Sequence, residues 1–388
     1  MRVTSICAAV EIGFRFVGIW PGLSYGTFTW SAYMTSAVIA LYFQYVYILH
    51  HFDVNNISIL IDALSLTLTY SLGFLKLISL WSNRRIFYNI LLAMNRDWGE
   101  VARDDRLVVC VMTSNVAWSR RFSNALISIN ATAAISYAVT NFMGHSNDPE
   151  RDSNFSTKVL PIKMELPFEV EKSPLFEIIA IAQTVHEVSM AVLVAMMNSL
   201  IVTLVLHVSG QIDILRQKLL TLCNGETLQR ESIVTNIKLL IARHQRIISF
   251  SDNIEALYSH IALMQFLANT LVICCIGLTI MSSFATDKNT VALLKSAIFY
   301  LAVTLEAFIF CFAGEYLSAK SKSIGDAVYE SLWYNMTPGE CRFVLFVILR
   351  SQKRLTITAG NIMDLSLEGF TSVMKASASY ISVLHAMY

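Results

Sequence analysis

In the segment MDLSLEGFTSVMKASASYISVLHAMY, residues 363–388, the side chains of Asp364, Glu368, Thr371 or Ser372, Lys375, Ser379, Ser382 and Ala386 recur three or four apart. That spacing places them on one helical face, while Leu365, Leu367, Phe370, Val373, Met374, Ile381 and Leu384 take the other. Two carboxylates and an ammonium on a segment long enough to cross a bilayer suit the handling of water and ions. In hydrocarbon each central charge costs about 2.5–3.5 kcal/mol unless it faces protein or water. Two arrangements meet that condition. Either the helix is buried in its own bundle with Lys375 paired to an acid one or two turns away, or it lines an aqueous path where several subunits meet.

Other reactive residue types are sparse. The chain has no G-x-G-x-x-G, P-loop, H-E-x-x-H or Cys-x-x-Cys pattern, so no catalytic residue is assigned and neither cofactor nor metal is expected. His50, His51 and Asp53 cluster at the end of an apolar stretch, where hydrated loop side chains are the default reading over a metal site. Lys76 and Glu306 sit inside apolar stretches and read as an internal pair or as contacts with backbone. For the seven cysteines, the simplest role is that of small buried apolar groups.

The elements that position these residues follow from composition. Of 388 residues 55% are hydrophobic and only 15% charged, and the mean hydropathy is +0.55, outside the range of a soluble domain. A net charge near +1 supplies no basic field for nucleic acid. A span needs roughly 20 mostly apolar residues. Seven stretches qualify, near 31–50, 57–80, 123–143, 175–209, 261–284, 291–318 and 362–387. The run FVLFVIL at 343–349 is too short to cross and is expected to pack within protein. Glu11 and Arg15 interrupt the first apolar run, so the first true span is expected to serve as the targeting signal in place of a cleaved leader.

Orientation follows from basic residues, which are retained on the cytoplasmic side of span ends. Of the 29 Lys and Arg residues, 21 fall on one side, in the segment before the first span and in the loops after the second, fourth and sixth. This places the amino terminus in the cytoplasm and the carboxyl terminus outside. The glycosylation triplets at Asn56 and Asn154 then fall in outer loops, where sugar addition is possible. A G-protein-coupled receptor has the opposite orientation, and neither its Asp-Arg-Tyr nor its Asn-Pro-x-x-Tyr motif is present. A transporter would show paired inverted halves, which seven unrepeated spans lack.

From about Glu231, Ile233, Ile237, Leu240, Ile241, Ile247, Ile248, Ile254, Leu257 and Ile261 mark one helical face without a Pro or Gly before Gly277. The fifth span therefore continues a helix that starts well inside the cytosol. Its apolar face needs cover, and Ile324, Val328 and Leu332 with the run 343–349 are the natural partners. Such a module suggests an oligomer held together from the cytoplasmic side.

The string LRSQKRLTITAGNIMDLSLEGFTSVMKASASYISVL at 349–384 resembles the carboxyl-terminal signature of insect odorant receptors, with Arg350, Ser351, Gln352, Thr358, Ala359, Gly360, Leu365, Phe370, Lys375, Ser379, Tyr380 and Leu384 as matching residues. GEYLSAKSKSIGDAVYESLWY at 314–334 is similar to that family's segment at the inner end of the sixth helix, and VGIWPG at 17–22 resembles its amino-terminal Gly-x-Trp-Pro. Arg354 departs from the pattern, which often has Pro there. The sister gustatory family ends in a Thr-Tyr pattern followed by Gln-Phe; this chain has Ser379-Tyr380 and no Gln-Phe, which disfavours that alternative.

The resemblance implies an all-α, seven-helix integral membrane protein of the plasma membrane, on a sensory neuron dendrite, that acts as an odorant-gated, non-selective cation channel. It implies a tetramer with a co-receptor subunit that is longer, mainly through an insertion between the fourth and fifth spans; that loop is only about 50 residues here, so the chain resembles a ligand-tuned subunit, and four last helices surround a central pore. Residues 31–209 would then mainly bind ligand, 210–260 and 319–361 form a cytoplasmic anchor, and 362–388 line the pore, with lipid around the bundle. The family gate, a ring of apolar side chains on a Tyr-x-x-Val-Leu pattern, maps to Tyr380, Val383 and Leu384, about 100° around the helix from Ser379 and Ser382. Glu368 and Lys375 are expected to influence conduction if they face the pore. The resemblance also places a small apolar cavity for a volatile odorant between the second, third, fourth and sixth spans, where Tyr70, Phe74, Ser136, Tyr137, His186, Ser189, Met190, Tyr300 and Thr304 have suitable chemistry. For each of these residues ordinary helix packing is the competing role; His186, beside Glu187, is either a donor to ligand or a satisfied core histidine.

Overall fold

The computed structural model describes residues 6–52, 57–100, 106–143, 160–168, 170, 173–221, 230–286 and 290–387. Asn56 and Asn154 lie outside these residues. Six helices are long and apolar enough to cross a membrane among the described residues. They are α2 (Gly26–His50), α3 (Ile57–Ser82), α5 (Arg106–Met143), α6 (Leu175–Leu220), α7 (Arg230–Thr286) and α8 (Thr290–Glu330). Shorter helices are α1 (Ala8–Val17), α4 (Arg84–Gly99) and α9 (Pro338–Gln352). The last helix, α10 (Leu367–Met387), has 21 residues, long enough to span, and carries a polar stripe. The result is an all-α, multi-pass membrane bundle with one small addition, a hairpin of β1 (Thr358–Ala359) and β2 (Met363–Asp364).

Several helices outrun the apolar stretches that reveal them. α5 begins at Arg106 rather than 123, α6 continues to Leu220 and α8 to Glu330. Hydropathy marks where a helix meets lipid, while the helix itself ends only where backbone partners or a breaker stop it. α7 has 57 residues, a rod of about 85 Å at 1.5 Å per residue. The apolar face anticipated on it is real: Ile237, Leu240, Ile247, Ile254, Leu257 and Ile261 are buried. Leu215 and Leu219 of α6, Val328 of α8, and Val344 and Val347 of α9 cover its first turns. The run 343–349 packs within protein on one face only. It belongs to α9, which a capping box starts: Glu340 Oε2 accepts from the Thr337 amide at 2.8 Å and Pro338 occupies the first turn. Only the inward face of that helix is covered, and Phe343, Leu345, Phe346 and Leu349 remain exposed.

The motif at 17–22 has a packing reason. Gly18 ends α1 with φ +85°, its amide and that of Ile19 donating to carbonyls of the last turn. A Cβ at Gly18 would stand 2.1 Å from the Gly26 carbonyl, so only glycine lets α1 and α2 approach this closely. Trp20 is buried edge-on to Phe87 of α4, with ring centroids 6.1 Å apart.

The approach to the last helix also differs from expectation: α10 starts at Leu367, and residues 362–366 belong to the hairpin segment. Gly360 and Asn361 have φ +61° and +57°, the left-handed pair of a tight hairpin turn that the Ile362 amide closes onto Ala359. Asp364 therefore lies on β2 and is not part of the helical stripe. The hairpin is fastened to α7, where Glu255 accepts from the Thr358 amide at 2.7 Å and also pairs with its hydroxyl. On α8, Gly314 has no room for a side chain, because a Cβ would come within 2.3 Å of the Leu365 carbonyl oxygen.

Candidate functional site

A cavity of about 310 Å³ lies among α3, α5, α6 and α8, the four helices between which the ligand space was expected. Its wall is mostly apolar: Leu66, Ala133, Ala134, Val139, Met190, Ala191, Val194, Leu294, Ile298, Phe299, Ala302 and Val303. This volume falls at the small end of ligand pockets. Polar groups reach it from Thr69, Tyr70, Asn130, Ser136, Tyr137, Glu187, Lys295 and Glu306.

Four of the nine expected ligand residues line this space: Tyr70, Ser136, Tyr137 and Met190. The other five do not. His186 is held between two tyrosines, its ring stacked on Tyr33 at 5.5 Å and on Tyr70 at 5.7 Å. Its Nδ1 pairs with the Tyr70 hydroxyl and its Nε2 with Ser36 Oγ at 3.0 Å, which makes it the satisfied core histidine of the two alternatives. Ser189 Oγ donates to the His186 carbonyl at 2.8 Å and pairs with Tyr33. Phe74 packs against the main core, and Tyr300 packs against a smaller cluster formed by Val272, Ile273, Ile276 and Val303. Thr304 is off the wall, its hydroxyl buried without a hydrogen-bond partner.

Lys295 and Glu187 of the wall are not among the nine expected ligand residues. Lys295 Nζ donates to both oxygens of Asp62 on α3, at 3.3 and 3.2 Å, and stands 4.0 Å from the Tyr137 ring centre. Lys163 donates to the same carboxylate at 3.3 Å. A lysine inside an apolar span is itself a signal, so Lys295 was detectable without coordinates. Glu187 lies on α6 one turn before Met190, and its role was visible only once that face of α6 was known to meet the cavity.

At one end of the cavity Glu306 joins a buried polar cluster. Lys76 Nζ donates to Glu306 Oε1 at 2.6 Å, resolving the pair anticipated from their positions. Asn198 Nδ2 donates to the same oxygen at 2.6 Å and Gln265 Nε2 to Oε2 at 2.9 Å. α3, α6, α7 and α8 thus meet on one carboxylate. Gln265 donates onward to Asn269 at 2.7 Å along α7.

α10 packs on α7 and α8 by its apolar side. Phe370 meets Phe308 edge-on at 5.6 Å, the Ser377 carbonyl accepts from Cys274 Sγ at 3.7 Å, and Ile381 fills the space that a Cβ on Gly277 would need. Glu368, Thr371, Ser372, Lys375, Ser379 and Ser382 are exposed on the opposite side. Lys375 makes no ion pair among the described residues. Burial of the stripe within its own bundle, one of the two arrangements left open, is therefore not the one adopted. Tyr380 and Val383 are each 56% exposed on this same broad surface. Leu384 continues the helix, and its side chain lies outside the described set.

The comparisons with known proteins point one way. The family model described as 7tm Odorant receptor matches residues 56–378. Odorant receptor 13a of Drosophila melanogaster is 24% identical over 377 residues, covering 92% of this chain and 87% of its own. Odorant receptor 10 of Aedes albopictus is 24% identical over 318 residues, 81% of this chain and 80% of its own. Among solved structures, the olfactory receptor OR5 of Machilis hrabei in complex with eugenol superimposes with a TM-score of 0.82 over 98% of this chain and 97% of that one, at 14% identity. With the family match running through most of the bundle and the fold shared from end to end, this chain belongs to the insect odorant receptor family, a family of membrane receptors and not of enzymes.

Proposed function

We propose that the chain is a ligand-tuned subunit of an odorant-gated cation channel of the plasma membrane, which binds a small volatile in the cavity between α3, α5, α6 and α8 and opens a pore lined by α10. The observation that carries this reading is the outward polar face of α10: a charged helix that its own bundle leaves uncovered is stable in a membrane when water and neighbouring copies lie against it. The exposed apolar face of α9, together with Tyr329, Trp333 and Tyr334 nearby, supports subunit contacts below the membrane in a tetramer. The distribution of Lys and Arg supports a cytoplasmic amino terminus and an outer carboxyl terminus. On that orientation the anchor segments 210–260 and 319–361 lie inside, and Tyr380, Val383 and Leu384 form the apolar gate near the outer end of the pore. Only residues 221–229 separate α6 from α7, a short connection that favours a tuning subunit over a longer co-receptor.

The test is current recording from cells expressing the chain with and without the co-receptor, across a panel of volatiles. Ligand-evoked cation current that persists when G-protein signalling is blocked is the expected result. Absence of current in every combination, or responses that require a G protein, overturns the reading.

A further inference from the structure

We propose that the cavity selects a neutral ligand carrying a hydroxyl group, which donates a hydrogen bond to the carboxyl of Glu187. This rests on the cavity being the odorant site, and it adds the chemistry by which that site discriminates. Glu187 is only 7% exposed and lines the cavity. Its Oε2 is buried and has no hydrogen-bond partner. A buried carboxyl left without a donor is costly, so a ligand hydroxyl that reaches it from the cavity offsets part of that cost.

Most of the other charged and hydroxyl groups of the wall are already engaged, Ser136 being the exception. Lys295 is held by Asp62, the Tyr70 hydroxyl by His186, Thr69 by the Ser65 carbonyl, and both oxygens of Glu306 by Lys76, Asn198 and Gln265. Charge on the ligand works against binding in either sign. An ammonium loses its hydration against an apolar wall, and a carboxylate loses it and also faces Glu187 and Glu306. A hydroxyl meets neither penalty. The volume of about 310 Å³ admits on the order of ten non-hydrogen atoms, at about 30 Å³ for each water-sized group.

The probes are 1-octanol and 1-methoxyheptane, which share chain length and heavy-atom count and differ in the donor. Currents are recorded from the full chain co-expressed with the co-receptor, and surface biotinylation measures delivery of each variant. In the wild type, half-maximal response to octanol is expected at a concentration about tenfold lower than for the ether, the worth of one buried hydrogen bond. Glu187→Met is expected to bring octanol to the potency of the ether, while Glu187→Gln, which keeps an acceptor oxygen, restores most of the preference. Equal potencies in the wild type, silence to both probes, or a preference that survives Glu187→Met overturns the proposal. If Glu187→Met fails to reach the surface, Glu187→Leu takes its place, and equal potencies in the wild type still overturn the proposal. Ala134→Trp, which fills the cavity, separates the two levels. If it abolishes the responses while the alcohol preference is absent, only the role of Glu187 falls; if it leaves them intact, the cavity reading falls with it.

Discussion

The charges at the centre of the bundle and those on its last helix are the same residue types under opposite treatment. Lys76 is 0% exposed, and the Glu306 carboxylate it faces accepts from three helices besides its own. Glu368 and Lys375 lie on α10 with their side chains exposed and no ion pair among the described residues. A buried pair ties together the elements that supply it, and breaking it strands a charge. An exposed pair on a membrane helix contributes nothing to its own fold and requires something beyond the protomer. The contrast separates what holds the bundle from what the bundle presents.

The largest effect should come from breaking the inner pair on one side. Lys76→Met leaves Glu306 buried without its cation, at about 3–5 kcal/mol. Melting of the detergent-solubilised receptor should drop sharply, and Lys76→Met combined with Glu306→Leu should recover much of it. A single variant as stable as the wild type would remove the contrast.

On the outer surface the expected change is in current and not in stability. Val383→Ser should hydrate the proposed constriction and raise ligand-free current, read as the fraction of current blocked before ligand is applied. An unchanged resting current counts against a gate at that position. Lys375→Glu and Glu368→Lys should leave melting within about 0.5 kcal/mol of the wild type, yet alter unitary conductance or cation preference. If either destabilises the receptor as much as Lys76→Met does, α10 is packed against its own subunit in a way that the exposed stripe contradicts.

The smallest effect lies outside the membrane. His244, on the stretch of α7 that α6, α8 and α9 cover, has its pKa pushed down to about 4, first by burial and then by Arg350. The unfolded chain takes up this proton near pH 6.5, whereas the folded module resists until about pH 4. The stability contributed by the neutral ring is therefore present above pH 6.5, declines as pH falls towards 4 and levels off below. Melting measured across that window should show the decline, and His244→Gln should flatten it.

The spans were legible because twenty apolar residues in a row have few alternatives, and the inner face of α7 because its periodicity is local. Helix ends were not. Nothing in the composition of 362–366 distinguishes a helix start from the hairpin that Gly360 and Asn361 turn and Glu255 clamps. A cavity lies between the helices named for one, but five of the nine side chains named with it do not line it. In a helix that is apolar on every side, hydropathy carries no information about which face meets a space. Hence Phe74, Tyr300 and Thr304 had the same standing as Tyr70, while Lys295 went unnamed and Glu187 counted only as a neighbour of His186.

Residue order alone carried the membrane bundle, the amphipathic face of α7 and the polar stripe of the last helix, because each rests on spacing within one segment. It also carried the family, through the strings at 17–22, 314–334 and 349–384. Partnership needed the folded chain. Lys76 meets Glu306 across 230 residues, Lys295 meets Asp62 across 233, and Glu187 is left with an unpaired oxygen, because each outcome depends on which helices touch and at what rotation. The energy of a charge in a membrane is set by its neighbours, and those neighbours come from distant parts of the chain.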